Sequence, residues 1–197
     1  IGLVVQPGIE FGSKNIIHYN RRKVLKLKNI LSDYPTLVFE AHSTDYQCTN
    51  KLNELVKDGF LILKVGPVLT FSLREALYGL DLIASELISS YGYRPLYETM
   101  EGLMLSNPTH INNYYFGTAA EKQYLRHYSL SDRIRYYWNS EAAIIAVRNL
   151  INVIYGQKIP RALFKRYLPV ANKFANTTSY CLATSPGIRV DQVAGTT

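Results

Sequence analysis

The first 89 residues alternate strand and helix signals three times, and this alternation constrains the fold more than any other feature of the chain. Residues 3–6 are a short apolar run ended by Pro7-Gly8. Residues 20–32 carry Val24, Leu27, Ile30 and Leu31 at helical spacing, with Asn20 as an N-cap. Residues 37–41 read as a second strand, and Thr49 caps a short helix bearing Leu52, Leu55 and Val56. Residues 60–65 form a third strand, which Gly66-Pro67 ends. Ser72-x-x-Glu75 then reads as a capping box for a helix to about Leu87, with Leu73, Leu77, Leu80, Ala84 and Leu87 on its apolar face. The order βαβαβα predicts a parallel sheet with right-handed crossovers. The helix-to-strand links are short, and the strand-to-helix links are long, above all residues 7–19. In parallel α/β proteins the functional groups lie at the carboxyl ends of the strands, where those long links fall.

The character changes after residue 90. Pro95 and Pro108 interrupt the pattern, and no further strand of length is evident. Ser129-x-x-Asp132 reads as a capping box for a helix through Tyr137 and Trp138. Asn139-Ser140-Glu141 caps a second helix with Ile144, Ile145, Val147, Leu150, Ile151 and Ile154, closed by Gly156. Pro160 suits the first turn of a third helix, stopped at Leu168-Pro169. Beyond Lys173 the composition turns to Thr, Ser, Ala and Gly, and a poorly ordered tail is expected.

Charge and cysteine usage exclude several function classes. Residues 1–100 hold eleven Lys and Arg against ten Asp and Glu, whereas residues 101–197 hold eleven against five. Lys158, Arg161, Lys165, Arg166 and Lys173 form a loose basic group, which reads as a solvated helix face or as a surface for a phosphate-bearing or acidic partner. No nucleic-acid-binding motif accompanies it, so no nucleic-acid partner is expected. There is no run of 18 apolar residues, so no membrane span is expected. Cys48 and Cys181 form no C-x-x-C, which argues against a disulfide framework and fits a reducing, cytoplasmic location. His18, His42, His110 and His127 show no metal-ligand spacing, and no phosphate-binding glycine loop for ATP is present. His42-Ser43-Thr44-Asp45 contains the members of a catalytic triad, but neighbours in sequence rarely form one. The chain opens at Ile1 inside an apolar run, which reads as a chain cut from something longer.

The three strands share a further feature. Successive side chains of a strand alternate between faces, so Val4 and Gln6 share one face, as do Val38, Glu40 and His42, and Ile62, Lys64 and Gly66. Each strand therefore places a polar residue toward its carboxyl end. A buried charge is costly unless paired, which makes Glu40 and Lys64 expected partners in adjacent strands. Read as a site, Lys64 is a phosphate or carbonyl ligand, Glu40 an acid–base or orienting group, and His42 a polar rim residue. The backbone N–H groups around Gly66 could receive a phosphate. Read structurally, Glu40 and Lys64 are an ion pair that fixes strand register.

Five blocks resemble one known family. They are Val4-Val5-Gln6-Pro7-Gly8-Ile9-Glu10-Phe11, Phe39-Glu40-Ala41-His42-Ser43-Thr44-Asp45-Tyr46-Gln47, Ile62-Leu63-Lys64-Val65-Gly66-Pro67, Thr70-Phe71-Ser72-Leu73-Arg74-Glu75-Ala76 and Tyr128-Ser129-Leu130-Ser131-Asp132-Arg133-Ile134-Arg135-Tyr136-Tyr137-Trp138. The family is the non-catalytic, Z-type subunit of class II tagatose-1,6-bisphosphate aldolase, also described as a tagatose-6-phosphate kinase. The resemblance implies an α/β fold, the carboxyl-terminal part of a TIM (β/α)8-type barrel. Residues 1–89 would be its last three βα units, residues 90–173 a helical extension, and residues 174–197 a tail outside the family pattern. It implies an accessory subunit that supports the activity and stability of a separate zinc-dependent aldolase in galactitol and N-acetylgalactosamine breakdown. The expected partner is that catalytic subunit, with zinc held there and no cofactor in this chain. The alternative is a sugar-phosphate-binding enzyme in its own right, a tagatose-6-phosphate kinase or a Schiff-base aldolase, using Gln6, Glu40, His42, Lys64 and Gly66. Lys64 would form the Schiff base in that case.

Overall fold

A computed structural model describes residues 1–172 and the backbone of residues 179–181. The tail expected from residue 174 otherwise lies outside the described residues. The fold is α/β, with a three-stranded parallel sheet and many helices. The chain divides into two compact units, residues 1–71 with 128–132, and residues 72–127 with the remainder.

In the first unit, β1 (Gly2–Val5), β4 (Val38–Ala41) and β5 (Phe60–Leu63) pair in the order β1-β4-β5. Both pairings are parallel, as the βαβαβ alternation requires. Helix α1 (Leu25–Asp33) follows a 3-10 turn at Arg21–Val24, on which Asn20 accepts from the Arg22 N–H. Helix α2 (Thr49–Lys57) has Cys48 at its N-cap rather than Thr49. The core is one face of the sheet: Phe39, Ala41, Leu55 and Phe60 are buried together with Ile9, Tyr19 and Val24. Each buried Val, Leu, Ile or Phe side chain among them contributes about 1.5–3 kcal/mol of transfer free energy.

The register is not a simple alternation. Phe39 lies opposite Phe60, but Glu40 lies opposite Ile62 and Ala41 opposite Leu63. Leu61 is therefore the extra residue of a β-bulge. The bulge lets Phe60 face the core while Ile62 faces away, although the two are two positions apart and would share a face in a regular strand.

Asp58, buried at the end of α2, ties the amino-terminal side of the sheet. Its carboxylate accepts from Arg21 at 2.5 and 2.8 Å, from Lys28 at 2.9 Å and from the Tyr19 hydroxyl at 2.9 Å. These donors, Arg21 foremost, hold the Asp58 carboxyl well below the usual carboxylate range against the opposing effect of burial.

Helix α3 (Pro67–Leu87) starts five residues before the Ser72-x-x-Glu75 signal. Its first N–H groups find their acceptor outside the helix. Asp45 Oδ1 accepts from Gly66 N at 2.8 Å and Val68 N at 2.9 Å. A carboxylate there also meets the positive end of the helix dipole.

The second unit repeats this device. Asp81, fully buried on α3, accepts from Leu96 N and Tyr97 N and from the Tyr91 hydroxyl at 2.7 Å. It thereby caps α4 (Pro95–Ser106), whose own N-cap residue, Arg94, makes no side-chain capping bond. Pro95 opens this helix, which ends at Ser106 with Asn107 as its C-cap directly before Pro108, and Pro108 opens a 3-10 turn. Leu96, Met100 and Met104 pack at helical spacing against α6 (Glu141–Ile154), which buries Ala143, Leu150 and Ile154. Between them lie α5 (Ala119–Tyr128) and a 3-10 segment, Arg133–Tyr137, where an α-helix through Trp138 was expected. Ser140 caps α6 as expected, accepting from Ala143 N. Strand β6 (Lys158–Pro160) pairs antiparallel with β7 (Ser179–Cys181), a short ribbon the sequence does not announce. Helix α7 (Arg161–Tyr167) and a last turn, α8 (Pro169–Asn172), lie between the two strands. Among the described residues no helix is long and apolar enough to cross a membrane.

Candidate functional site

The register sets the site. Val4, Glu40 and Ile62 stand in one row across the sheet, on the face opposite Phe39 and Ala41. The ladder runs one step further, with His42 N donating to Val5 O at 3.5 Å and Lys64 N to Ala41 O at 2.9 Å. Gln6, His42 and Lys64 therefore form the next row on the same face, at the carboxyl ends. Adjacent strands are about 4.8 Å apart and successive same-face residues about 6.7 Å, so the Cα atoms of Gln6 and Lys64 lie about 8 Å from that of Glu40.

The pairing within this group differs from expectation. Glu40 takes His42 as its partner, at 3.0 Å, rather than Lys64. Two residues apart on one strand face, they meet without spanning an interstrand gap. Lys64 is exposed and makes no ion pair among the described residues. Both members of the Glu40–His42 pair keep partial solvent access, at 27% and 32%.

Gly66 occupies a different role from the one expected. Its N–H, offered by the sequence reading to a phosphate, donates to Asp45 instead. The adjoining Thr44 hydroxyl donates to Lys64 O at 2.7 Å, so the loop after β4 is stitched to the end of β5. Thr44 and Asp45 are both buried; Asp45 is engaged by the Gly66 and Val68 N–H groups and His42 pairs with Glu40, so the three neighbours are not arranged as a triad.

The long link after β1 contains structure that the sequence hides. β2 (Glu10–Phe11) and β3 (Ile16–Ile17) form a two-stranded hairpin. The Phe11 ring meets Tyr46 edge-on at 5.4 Å, and Tyr46 meets Phe71 in the same way at 5.4 Å. Gln6 Nε2 donates to Ile9 O at 3.0 Å and lies 3.2 Å from Glu10 Oε2 and 3.3 Å from Ser43 Oγ. Glu10 and Ser43 thus join the strand-end group; the sequence offers Ser43 only as a member of the discounted triad and does not single out Glu10. The available signal was the length of the two links that carry them.

Among the described residues no three His, Cys, Asp or Glu side chains converge as a metal site. The chemistry on offer is that of a carboxylate–imidazole pair, a second carboxylate, an amide and an ammonium on one open surface.

Comparisons with known proteins agree on a sugar-phosphate theme. A family model described as D-tagatose-1,6-bisphosphate aldolase subunit GatZ/KbaZ-like matches residues 1–193. A D-tagatose 6-phosphate 4-epimerase of Agrobacterium fabrum is 52% identical over 168 residues, which are 85% of this chain and 40% of that protein. A crystal structure of a probable tagatose 6 phosphate kinase from Sinorhizobium meliloti 1021 superposes with a TM-score of 0.85 at 49% identity, covering 88% of this chain and 45% of that one. The chain thus spans less than half the length of the relatives it matches.

Proposed function

The chain belongs to the D-tagatose-1,6-bisphosphate aldolase subunit GatZ/KbaZ-like family, and from that membership we propose that its strand ends are part of a ketohexose-phosphate site that inverts carbon 4 of D-tagatose 6-phosphate. In this reading β1, β4 and β5 are staves of a (β/α)8-type barrel, and the open row Gln6–His42–Lys64 faces its lumen. The observation that carries the reading is the Glu40–His42 contact at 3.0 Å, an acid–base pair at the carboxyl ends of parallel strands.

The chemistry links an epimerase with an aldolase family. Carbon 4 is β to the C2 carbonyl, so its hydrogen is not acidic and cannot simply be removed and replaced. A base that takes the C4 hydroxyl proton allows the C3–C4 bond to break. The bonding pair passes into an enediolate over C2 and C3, and C4 becomes an aldehyde carbon. When the aldehyde presents its other face, C3 attacks it, the bond re-forms, and C4 is inverted. Glu40, oriented by His42, is the group placed to take the first proton. Lys64 is the cation on the same face for the enediolate oxygen or the 6-phosphate. Supplying the full chain with D-tagatose 6-phosphate and following D-fructose 6-phosphate with a coupled dehydrogenase tests this. Product formation that falls about 10²-fold or more in Glu40→Gln supports it. No product from the native protein refutes it.

The family description favours a second reading, an accessory subunit of a tagatose-1,6-bisphosphate aldolase. Addition of the chain would then raise the activity or the unfolding temperature of the catalytic subunit. No change in either would refute this reading.

A further inference from the structure

The strand-end surface carries a second fixed carboxylate, Glu10. Its Oε1 accepts from the Ser43 hydroxyl at 3.4 Å and from Phe11 N at 3.3 Å, and its Oε2 from Gln6 Nε2 at 3.2 Å. Gln6 Nε2 also lies 3.3 Å from Ser43 Oγ, which closes a ring of three side chains. Glu10 is exposed, and an exposed glutamate left to itself samples several rotamers, at about 1.5–2 kcal/mol of freedom. The surrounding backbone is specialised to hold it. Ser43 and Tyr46 both sit in the left-handed region, at φ 58 and 61. Such non-glycine residues cost about 1 kcal/mol or more each and persist where the surroundings enforce them. The Phe11–Tyr46–Phe71 ring chain anchors the hairpin that carries Glu10. The result is a carboxylate held against Ser43, the residue that follows His42 at the end of β4.

Resting on the epimerase reading above, the inversion needs two proton-handling groups. The proton leaves the C4 oxygen while the original face is presented, and a proton returns once the other face has been attacked. We propose that Glu10 is the second acid–base residue, with Ser43 and Gln6 as the residues that position it. In the forward direction the Glu40–His42 pair accepts the C4 hydroxyl proton and C3–C4 breaks. After rotation and re-formation of the bond, the Glu10 carboxylic acid protonates the C4 oxygen. One proton has then moved from Glu10 to the Glu40–His42 pair, and exchange with water at these solvent-accessible groups restores the starting state. In the reverse direction Glu10 is the base.

The test measures kcat and KM from D-tagatose 6-phosphate across pH for the full chain and for Glu10→Gln, Glu10→Asp and Ser43→Ala, each checked for native-like thermal unfolding. Glu10→Gln is expected to lower kcat about 10²–10⁴-fold with KM within about threefold, and to remove one limb of the pH profile. Glu10→Asp restores part of kcat together with that limb, and Ser43→Ala lowers kcat about 3–10-fold while keeping both limbs. Glu10→Gln with kcat within about threefold of native and both limbs intact overturns the assignment and leaves the epimerase reading standing. A native chain that makes no D-fructose 6-phosphate removes that reading and this inference together.

Discussion

Asp45 holds the site together, and its removal has a cost that can be worked from the structure. The carboxylate is 3% exposed and accepts two backbone N–H groups, from Gly66 and Val68, both through Oδ1. Hydrogen bonds to a charged acceptor are worth about 1.5–3 kcal/mol each. A charge at a helix N-terminus adds about 0.3–1 kcal/mol. In Asp45→Ala the freed N–H of exposed Gly66 is rehydrated, so about 3 kcal/mol of the gross loss remains. For a chain of this size that lowers the unfolding temperature by about 6–12 °C. Asp45→Asn keeps an oxygen at Oδ1 and loses only the charge, so its expected cost is about 1 kcal/mol. Urea unfolding of the full chain measures both. Hydrogen exchange adds a local readout, because the Gly66 and Val68 amides exchange faster in Asp45→Ala than in Asp45→Asn. Equal effects of the two substitutions, or a loss below about 0.5 kcal/mol for alanine, would show that α3 is not held by this carboxylate.

Three further outcomes follow from buried groups. Asp58→Asn removes the partner of Arg21, Lys28 and Tyr19, and is expected to cost about 2–4 kcal/mol, discounted for the exposed Arg21 and Lys28 heads. Because the folded-state pKa of Asp58 is depressed, its contribution is complete above the ordinary carboxyl value of 3.8 and is lost as pH falls below it. Acid titration of native stability against that of the variant checks the sign. His127 is fully buried, with Nδ1 2.7 Å from the Tyr78 hydroxyl, Nε2 2.9 Å from Glu101 and its ring stacked on Tyr97. Burial, only partly offset by Glu101, lowers its pKa from 6.5 to about 4. Stability is therefore expected to fall by about 3 kcal/mol as pH drops from 6.5 toward 4, and a flat urea midpoint over that range would contradict the buried neutral imidazole. A Cβ added at Gly79 would lie 2.5 Å from Leu168 Cδ2 and 2.6 Å from Tyr167 O, which is backbone. Gly79→Ala is expected to destabilise by about 1–2 kcal/mol despite the helix-propensity gain, measured by thermal unfolding.

The sequence conveyed the sheet well because its rules are local. Apolar runs separated by helical spacing demand parallel pairing, and strand alternation placed Gln6, Glu40, His42 and Lys64 on one face. It failed where a distant group supplies what local chemistry lacks. Ser72-x-x-Glu75 looked like a helix start, but α3 begins at Pro67 because Asp45 reaches its first N–H groups from another loop. Ser129-x-x-Asp132 looked like a second one, but Ser129 Oγ engages Ser131, and Asp132 adopts φ 45 before a 3-10 segment. The bulge at Leu61 could not be read from composition, and without it Phe60 would share a face with Lys64. The Glu40–Lys64 pairing was a charge-balance inference. His42, closer along the same strand, takes the carboxylate instead. Glu10 stayed hidden because the two-residue strands β2 and β3 carry no periodicity to detect.

A structure of the full chain soaked with D-tagatose 6-phosphate tests the placement of the chemistry most directly. The hexose is expected over the ends of β1, β4 and β5, with its C4 oxygen within about 2.6–3.2 Å of a Glu40 oxygen. A sugar bound at any other surface, with Glu40, His42 and Lys64 left facing solvent, would contradict it.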